Sequence, residues 1–278
     1  MPGIFPGTRQ YPVYQIRNNK SILSHKNTLE LRHARARRKT HMLITMRRAY
    51  PMFNPDAYLQ ELINEMKAVF GGRLLYAGLQ GSYLRGEATE NSDLDVMVII
   101  DHLSMQDLAD YRKIISRLQD YEKSCGFICG MDEFSKWNPL ELCHVLHSTK
   151  DYYGRLSELL PSYERQDILN DVRLSLGNLY HEICHRYVHA DPVRNRQELP
   201  MTCKSVFFIL QDLYYIKTGV FCLTKKELLG VLEEDDRAVM EMSMKICLDA
   251  DYDFDPAFEQ LLIWCQKTLI HLESKAAT

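Results

Sequence analysis

At 278 residues, 46% hydrophobic and 26% charged, the chain has ordinary globular composition and room for one large domain or two ordinary ones. No stretch approaches the ~18 uninterrupted apolar residues of a membrane helix, and the basic N-terminus lacks the apolar block of a signal peptide. The net charge of −3 hides an asymmetry: residues 1–50 hold eleven Lys and Arg against the single acid Glu30, a balance of +10 that leaves −13 for the remainder.

A basic arm on an acidic body could touch nucleic acid or acidic lipid, but a solvated, partly disordered extension explains it as well. Residues 1–27, with Pro2, Pro6 and Pro12, show no sustained period, and 28–49 could form a basic helix with a thin apolar face. Met42 and Met46 offer alternative starts. None of the eight cysteines forms a C-x-x-C pair, and most lie in apolar, helix-like runs, which reads as buried free thiols in a reducing, cytoplasmic compartment.

From Asn54-Pro55 the pattern sharpens. An N-cap followed by proline opens a helix whose apolar face is Tyr58, Leu59, Leu62, Ile63, Met66, Val69 and Phe70, stopped by Gly71-Gly72. Leu74–Leu79 reads as a strand, Gly81-Ser82 as a turn and 84–88 as a short helical turn. Leu94–Ile100 is a nearly all-apolar, buried strand. Ser104 opens a helix with Leu108, Tyr111, Ile115, Leu118 and Tyr121 in register. Phe127–Cys129 predicts a short strand and Leu140–Leu146 a third clear one, with Glu141 between two leucines.

After Gly154 everything reads as helix. The predicted segments are 167–189, 201–218 ending at Gly219, one capped by Thr224, a fourth near Asp235, and a last one begun by Asp255-Pro256. Mixed strands and helices followed by helices alone imply an α/β or α+β block and then a bundle, divided near Pro161.

The stretch that carries chemistry is Gly81-Ser82-Tyr83-Leu84-Arg85-Gly86 followed by Ser92-Asp93-Leu94-Asp95. Residues i and i+2 of a strand point the same way, so Asp93 and Asp95 project together beside a turn with free N–H groups. Two convergent carboxylates beside such a loop suit a divalent cation carrying a phosphate chain. A strand-edge acid pair that discourages aggregation would not explain the preceding turn.

The order Gly81, Ser82, Gly86, Ser92, Asp93, Asp95, Val98 resembles the nucleotidyltransferase superfamily that includes polymerase beta. It looks closest to the small bacterial branch of minimal, aminoglycoside and lincosamide nucleotidyltransferases. The resemblance is strong over residues 73–100, looser over 101–154 and compositional over 160–275. It implies an α+β fold: a nucleotidyltransferase domain with a mixed sheet and flanking helices, then a helical substrate-binding bundle. The domains would be 1–50 (basic extension), 51–158 and 159–278.

By the same resemblance, Asp93 and Asp95 would hold Mg²⁺ against the triphosphate of ATP or another nucleotide. Gly81, Ser82 and Arg85 would bind its phosphates, and Ser92 would orient Asp93. Glu141 fits a third acid, as general base or metal ligand, with Asp132, Glu133 and Asp151 as rivals. Lys204 resembles lysines that reach the triphosphate from the second domain. An exposed strand glutamate would explain Glu141 as well, and a solvated lysine Lys204.

The expected reaction is transfer of a nucleoside monophosphate, AMP from ATP foremost, to a hydroxyl of a small molecule such as an aminoglycoside-like or lincosamide-like antibiotic. Neither a membrane nor nucleic acid is an expected partner, and a homodimer is an assembly that relatives use. An antitoxin-like nucleotidyltransferase that acts on or binds a partner protein is the second reading. His181-Glu182-Ile183-Cys184-His185 matches the zinc-protease pattern H-E-x-x-H, but Val188 and Asp191 stand where the extended pattern needs Gly and His. Those histidines read instead as facing an interdomain cleft. The helical block also resembles the HEPN ribonucleases, yet Arg173 to His181 is too long a gap for their motif.

Overall fold

The computed structural model describes residues 53–248 and 252–276. The expectations for residues 1–50 lie outside this range. Residues from Phe53 onward form one compact unit.

Helix α1 (Pro55–Phe70) begins as its sequence directs. The Asn54 side chain accepts from the N–H groups of Asp56 and Ala57 at 3.1 and 3.2 Å, and Pro55 occupies the first turn, where its missing donor costs nothing. Tyr58, Leu59, Leu62, Ile63, Met66 and Phe70 are buried, whereas Val69 is exposed.

Four strands follow: β1 (Leu74–Leu79), β2 (Leu94–Ile100), β3 (Ser124–Gly130) and β4 (Lys150–Tyr153). Their spatial order is β3-β2-β1-β4, with β1 antiparallel to both neighbours and β2 parallel to β3. The sheet is therefore mixed. The parallel pair needs a crossover, supplied by α3 (Met105–Ile115), which opens on a capping box between Ser104 and Asp107.

Strand alternation divides the β2 side chains between two faces. Leu94, Val96, Val98 and Ile100 pack with α1 and with Tyr111, Ile114 and Leu118. Met97 and Ile99 pack on the other face with Tyr76, Cys129, Phe134 and Leu156. Short helices α2 (Gly81–Arg85), α4 (Met131–Phe134), α5 (Pro139–His147) and α6 (Leu156–Leu159) complete this part.

Two expectations are corrected here. Residues 140–146 are not a strand: they lie in α5, which Asn138 caps by accepting from the Leu140 N–H at 3.2 Å, with Pro139 in the first turn. The fourth strand is instead Lys150–Tyr153, which the sequence reading left out.

The remaining helices are α7 (Arg165–His189), α8 (Pro192–Thr218), α9 (Lys225–Val231), α10 (Glu234–Cys247), α11 (Phe254–Ile270) and α12 (Leu272–Lys275). Their shared core includes Val172, Leu176, Ile183, Val206, Leu210, Val239, Ile246, Leu261 and Trp264. Helix α8 starts nine residues before the expected Met201, because Asp191 and Pro192 supply a cap and first turn; the helix then runs through Pro200. The eight cysteines are free thiols, and no helix among the described residues is long and apolar enough to cross a membrane.

Candidate active site at the mouth of the sheet

Gly81 is both the first residue of α2 and the point where the backbone meets Asp95. Its φ is +71°, in the left-handed region, and a Cβ built on it would fall 1.9 Å from Asp95 Oδ2. Glycine is thus required twice over, by conformation and by space. The first N–H groups of a helix have no partner within it, so Gly81 and Ser82 bring donors to the carboxylate end of β2.

Asp95 is half-buried and Asp93 exposed. Burial pushes the Asp95 carboxyl up, the Cys125 thiol draws it down, the neighbouring Asp93 charge raises it again and Arg85 lowers it; the balance lies above the usual value. The two acids are therefore close enough to repel, as the i, i+2 spacing requires. Among the described residues, no lysine or arginine closes an ion pair with either one; Arg85 is spent on Glu87 instead, at 3.1 Å. Two uncompensated carboxylates against a backbone that tolerates no Cβ form a donor set that fits Mg²⁺, whose preference is for oxygen ligands and retained waters.

The neighbours of Asp95 on its own face are set by register. Cys125 lies opposite it on β3, and the Gln80 N–H donates to the Asp95 carbonyl at 2.9 Å from the β1 side. The Gln80 side-chain amide continues the row to Thr149 at 2.8 Å. No third acid stands in this row. Asp151 pairs with Gly78 on β4, two strands over, and accepts from the buried Tyr76 hydroxyl at 2.7 Å. Sheet spacings put it about 12 Å from Asp95.

Glu141 was expected on a strand; it stands in the first turn of α5, exposed, accepting from Trp137 Nε1 at 2.9 Å. Ser92 also differs from expectation. Its hydroxyl accepts from the Thr89 N–H at 2.8 Å and closes the 89–92 turn, so it holds the loop before Asp93. Lys204 is exposed in the middle of α8 rather than at a helix start.

The helical block meets the motif through a different lysine. Lys225, at the start of α9, gives its N–H to Glu87 at 2.9 Å and its ammonium at 3.1 Å. Burial alone would raise the Glu87 carboxyl, but the Lys225 N–H, its ammonium and Arg85 hold it below its ordinary value. Arg85 and Lys225 both lie over the Phe207 ring, at 5.9 and 5.8 Å. The sequence signal for this joint was the Thr224 capping box, which fixes where Lys225 stands.

The H-E-x-x-H histidines are exposed on α7, with ring centroids 6.1 Å apart for His181 and His185. Glu182 is held by Arg186 and accepts from Thr202 at 2.8 Å. The three-ligand group among the described residues lies elsewhere, at His144, Asp171 and Asp212. There burial, then Asp212, pushes the Asp171 carboxyl up to about 6.

Comparison with known proteins agrees with the motif. Residues 59–128 match the family model of the nucleotidyltransferase domain. A Methanocaldococcus jannaschii protein named as a protein adenylyltransferase is 38% identical over 48 residues, which are 17% of this chain and 48% of that protein. The chain thus spans about half the length of that curated relative. A solved structure of spectinomycin adenyltransferase AAD(9) from Enterococcus faecialis, with ATP and spectinomycin, aligns at a TM-score of 0.48 and 16% identity, covering 76% of this chain and 99% of that one. The matched segment contains the Gly81-Ser82 turn, Asp93 and Asp95, so the part of the chain that resembles a nucleotidyltransferase domain is the part that carries the motif.

Proposed function

We propose that the protein transfers AMP from ATP to a hydroxyl of an acceptor and releases pyrophosphate. The observation that carries this reading is the approach of Gly81 to Asp95, so close that the loop backbone meets the carboxylate with no side chain between them. In the reaction an acceptor oxygen bonds to the α-phosphorus in line with the bond to the β-phosphate oxygen, which breaks. Mg²⁺ held by Asp93 and Asp95 would supply charge stabilisation to the transferring group. The Gly81 and Ser82 N–H groups and the Ser82 hydroxyl hold the distal phosphates. Arg85 exchanges Glu87 for phosphate oxygen, and Ser92 keeps the Asp93 loop in place. Lys204, exposed on α8, is assigned a long-range attraction to the nucleotide.

No flanking strand sets an acid beside Asp95, so we assign the acceptor proton to Glu141, from outside the sheet. A small-molecule hydroxyl is the acceptor we favour, since the body beyond residue 50 is acidic and suits a cationic compound. A protein hydroxyl is the second reading, favoured by the name that the M. jannaschii relative carries.

The test is transfer of labelled AMP from ATP and Mg²⁺ to panels of small-molecule and protein acceptors. Asp93→Asn and Asp95→Asn should each lower turnover by about 10³-fold or more without unfolding the chain. Glu141→Gln should lower kcat and leave nucleotide affinity alone. Full turnover in both Asp variants would refute the site.

A further inference from the structure

His144 on α5, Asp171 on α7 and Asp212 on α8 each offer one ligand atom, and these atoms lie within 4.8 Å of one another. Asp212 is only 2% exposed. Its Oδ2 faces His144 Nε2 at 2.9 Å; its Oδ1 is buried and meets no N–H or hydroxyl donor, and among the described residues the one other polar group within hydrogen-bonding reach of this carboxylate is the Asp171 carboxyl. A buried carboxylate oxygen is seldom left unpaired in a native protein. Among the described residues, no lysine or arginine forms an ion pair with Asp171 or Asp212; His144 is the one basic partner of Asp212. Phe208 and Phe221 make edge contacts with the His144 ring, with centroids at 5.7 and 5.8 Å, and His147 and Glu141 are nearby ionisable groups.

We propose that these three side chains form a second metal centre, separate from Asp93 and Asp95 and built for a borderline divalent cation of the Zn²⁺ class. The donor set argues for that class: an imidazole nitrogen favours Zn²⁺ over Mg²⁺, and two carboxylates complete a mixed N,O site. Zinc bonds of about 2.0–2.2 Å place ligand atoms roughly 3.5 Å from one another, so the 2.9 Å contact of His144 with Asp212 would open and the wider contacts close. Asp171, like His144, is half-buried, while Asp212 is buried. Water would complete the shell. The ion would clamp α5, which lies between β3 and β4 in the chain, onto α7 and α8 of the helical block. This inference does not depend on the transfer reaction.

The full chain, stripped with chelator and dialysed against Zn²⁺, tests it. Elemental analysis should find one Zn²⁺ per chain, retained in Asp95→Asn and in His185→Ala, and at least tenfold weaker in Asp171→Asn. Asp171 is chosen because its partial exposure lets the amide variant fold; a melt of the metal-free proteins verifies that. Zn²⁺ should raise the melting temperature of the wild type but not of Asp171→Asn, and Co²⁺ in its place should give the visible spectrum of a four-coordinate N,O site. Three outcomes overturn the proposal: no bound Zn²⁺ in the wild type, unchanged affinity in Asp171→Asn, or loss of Zn²⁺ in His185→Ala.

Discussion

Gly81→Ala separates the proposed role of the turn from ordinary backbone strain. At φ +71° an alanine pays the left-handed penalty, about 1–2 kcal/mol. The new Cβ would also sit 1.9 Å from Asp95 Oδ2 and 2.8 Å from its Cγ, where ordinary contact begins near 3.4 Å. Asp95 or the turn must therefore move by about 1.5 Å, and a misplacement near 1 Å is enough to cost about 10²-fold in rate. Gly86→Ala is the matched control: its φ is +67°, but nothing lies within 4 Å of the added carbon. Both variants should melt a few degrees lower, since 1 kcal/mol is worth about 2–4 °C in a unit of this size. Gly81→Ala alone should lose AMP transfer by about 10²-fold or more and bind a non-hydrolysable ATP analogue with Mg²⁺ at least tenfold more weakly by calorimetry. Gly86→Ala should keep both within a few-fold. Equal losses in the two variants, or a fully active Gly81→Ala, would refute the argument that this glycine clears space for the cation and phosphates.

Two further predictions concern what holds the site in place. Asp107 receives Arg73 Nη1 at 2.7 Å and the Ser104 N–H at 2.8 Å, and Arg73 above all holds its carboxyl well below the usual range. A depressed carboxyl stabilises above the unfolded value near 4 and loses that contribution as pH falls below it. The wild type should therefore outlast Asp107→Asn at neutral pH, and the gap should narrow steadily in melts taken from about pH 5 down to 2; a gap as wide at pH 2 as at pH 7 would contradict this. Glu87→Ala removes the acceptor of three bonds, from Arg85 and twice from Lys225, and should cost about 2 kcal/mol by chemical denaturation. An unchanged denaturation midpoint would show that the joint contributes nothing.

How much of this was legible in the sequence depends on whether the signal was local. Helix α1, β1, β2 and the start of α3 were legible because each carries its own cap or an unbroken apolar run; α3 ends at Ile115, so Leu118 and Tyr121 of its expected face lie beyond it. The proposed donor half of the site also rests on a local signal, the i, i+2 spacing of Asp93 and Asp95, of which Asp95 lies in β2 and Asp93 just before it. Residues 140–146 were misread because Leu140, Leu142 and the residues after them satisfy a two-residue period as well as a helical one. Asn138-Pro139 could have decided it, being the same cap and first-turn pair that identified α1 at Asn54-Pro55. Asp191-Pro192 was passed over in the same way, and α8 was started late. The cluster of His144, Asp171 and Asp212 had no local signal: its members are 27 and 41 residues apart in sequence, joined only by the packing of α5, α7 and α8.

The correction to Glu141 changes where the rest of the chemistry must come from. Position by position, the row through Asp95 runs from Cys125 to Gln80 to Thr149 and offers thiol, amide and hydroxyl but no second carboxylate. On the proposed function, the acceptor proton would then pass to a group outside this row, and the proposal assigns it to Glu141. Helix α5 brings Glu141 and His144 to one side, one turn apart, and a cation at His144 would fix that helix against α7 and α8. On this view the sheet supplies the nucleotide and its metal, the helical block supplies the acceptor, and the stiffness of α5 decides how well the two are aligned. Enzyme stripped of Zn²⁺ and assayed with Mg²⁺ present should accordingly lose kcat through poorer alignment while keeping its affinity for the ATP analogue, and a parallel loss of both would place the His144 cluster in the nucleotide site instead.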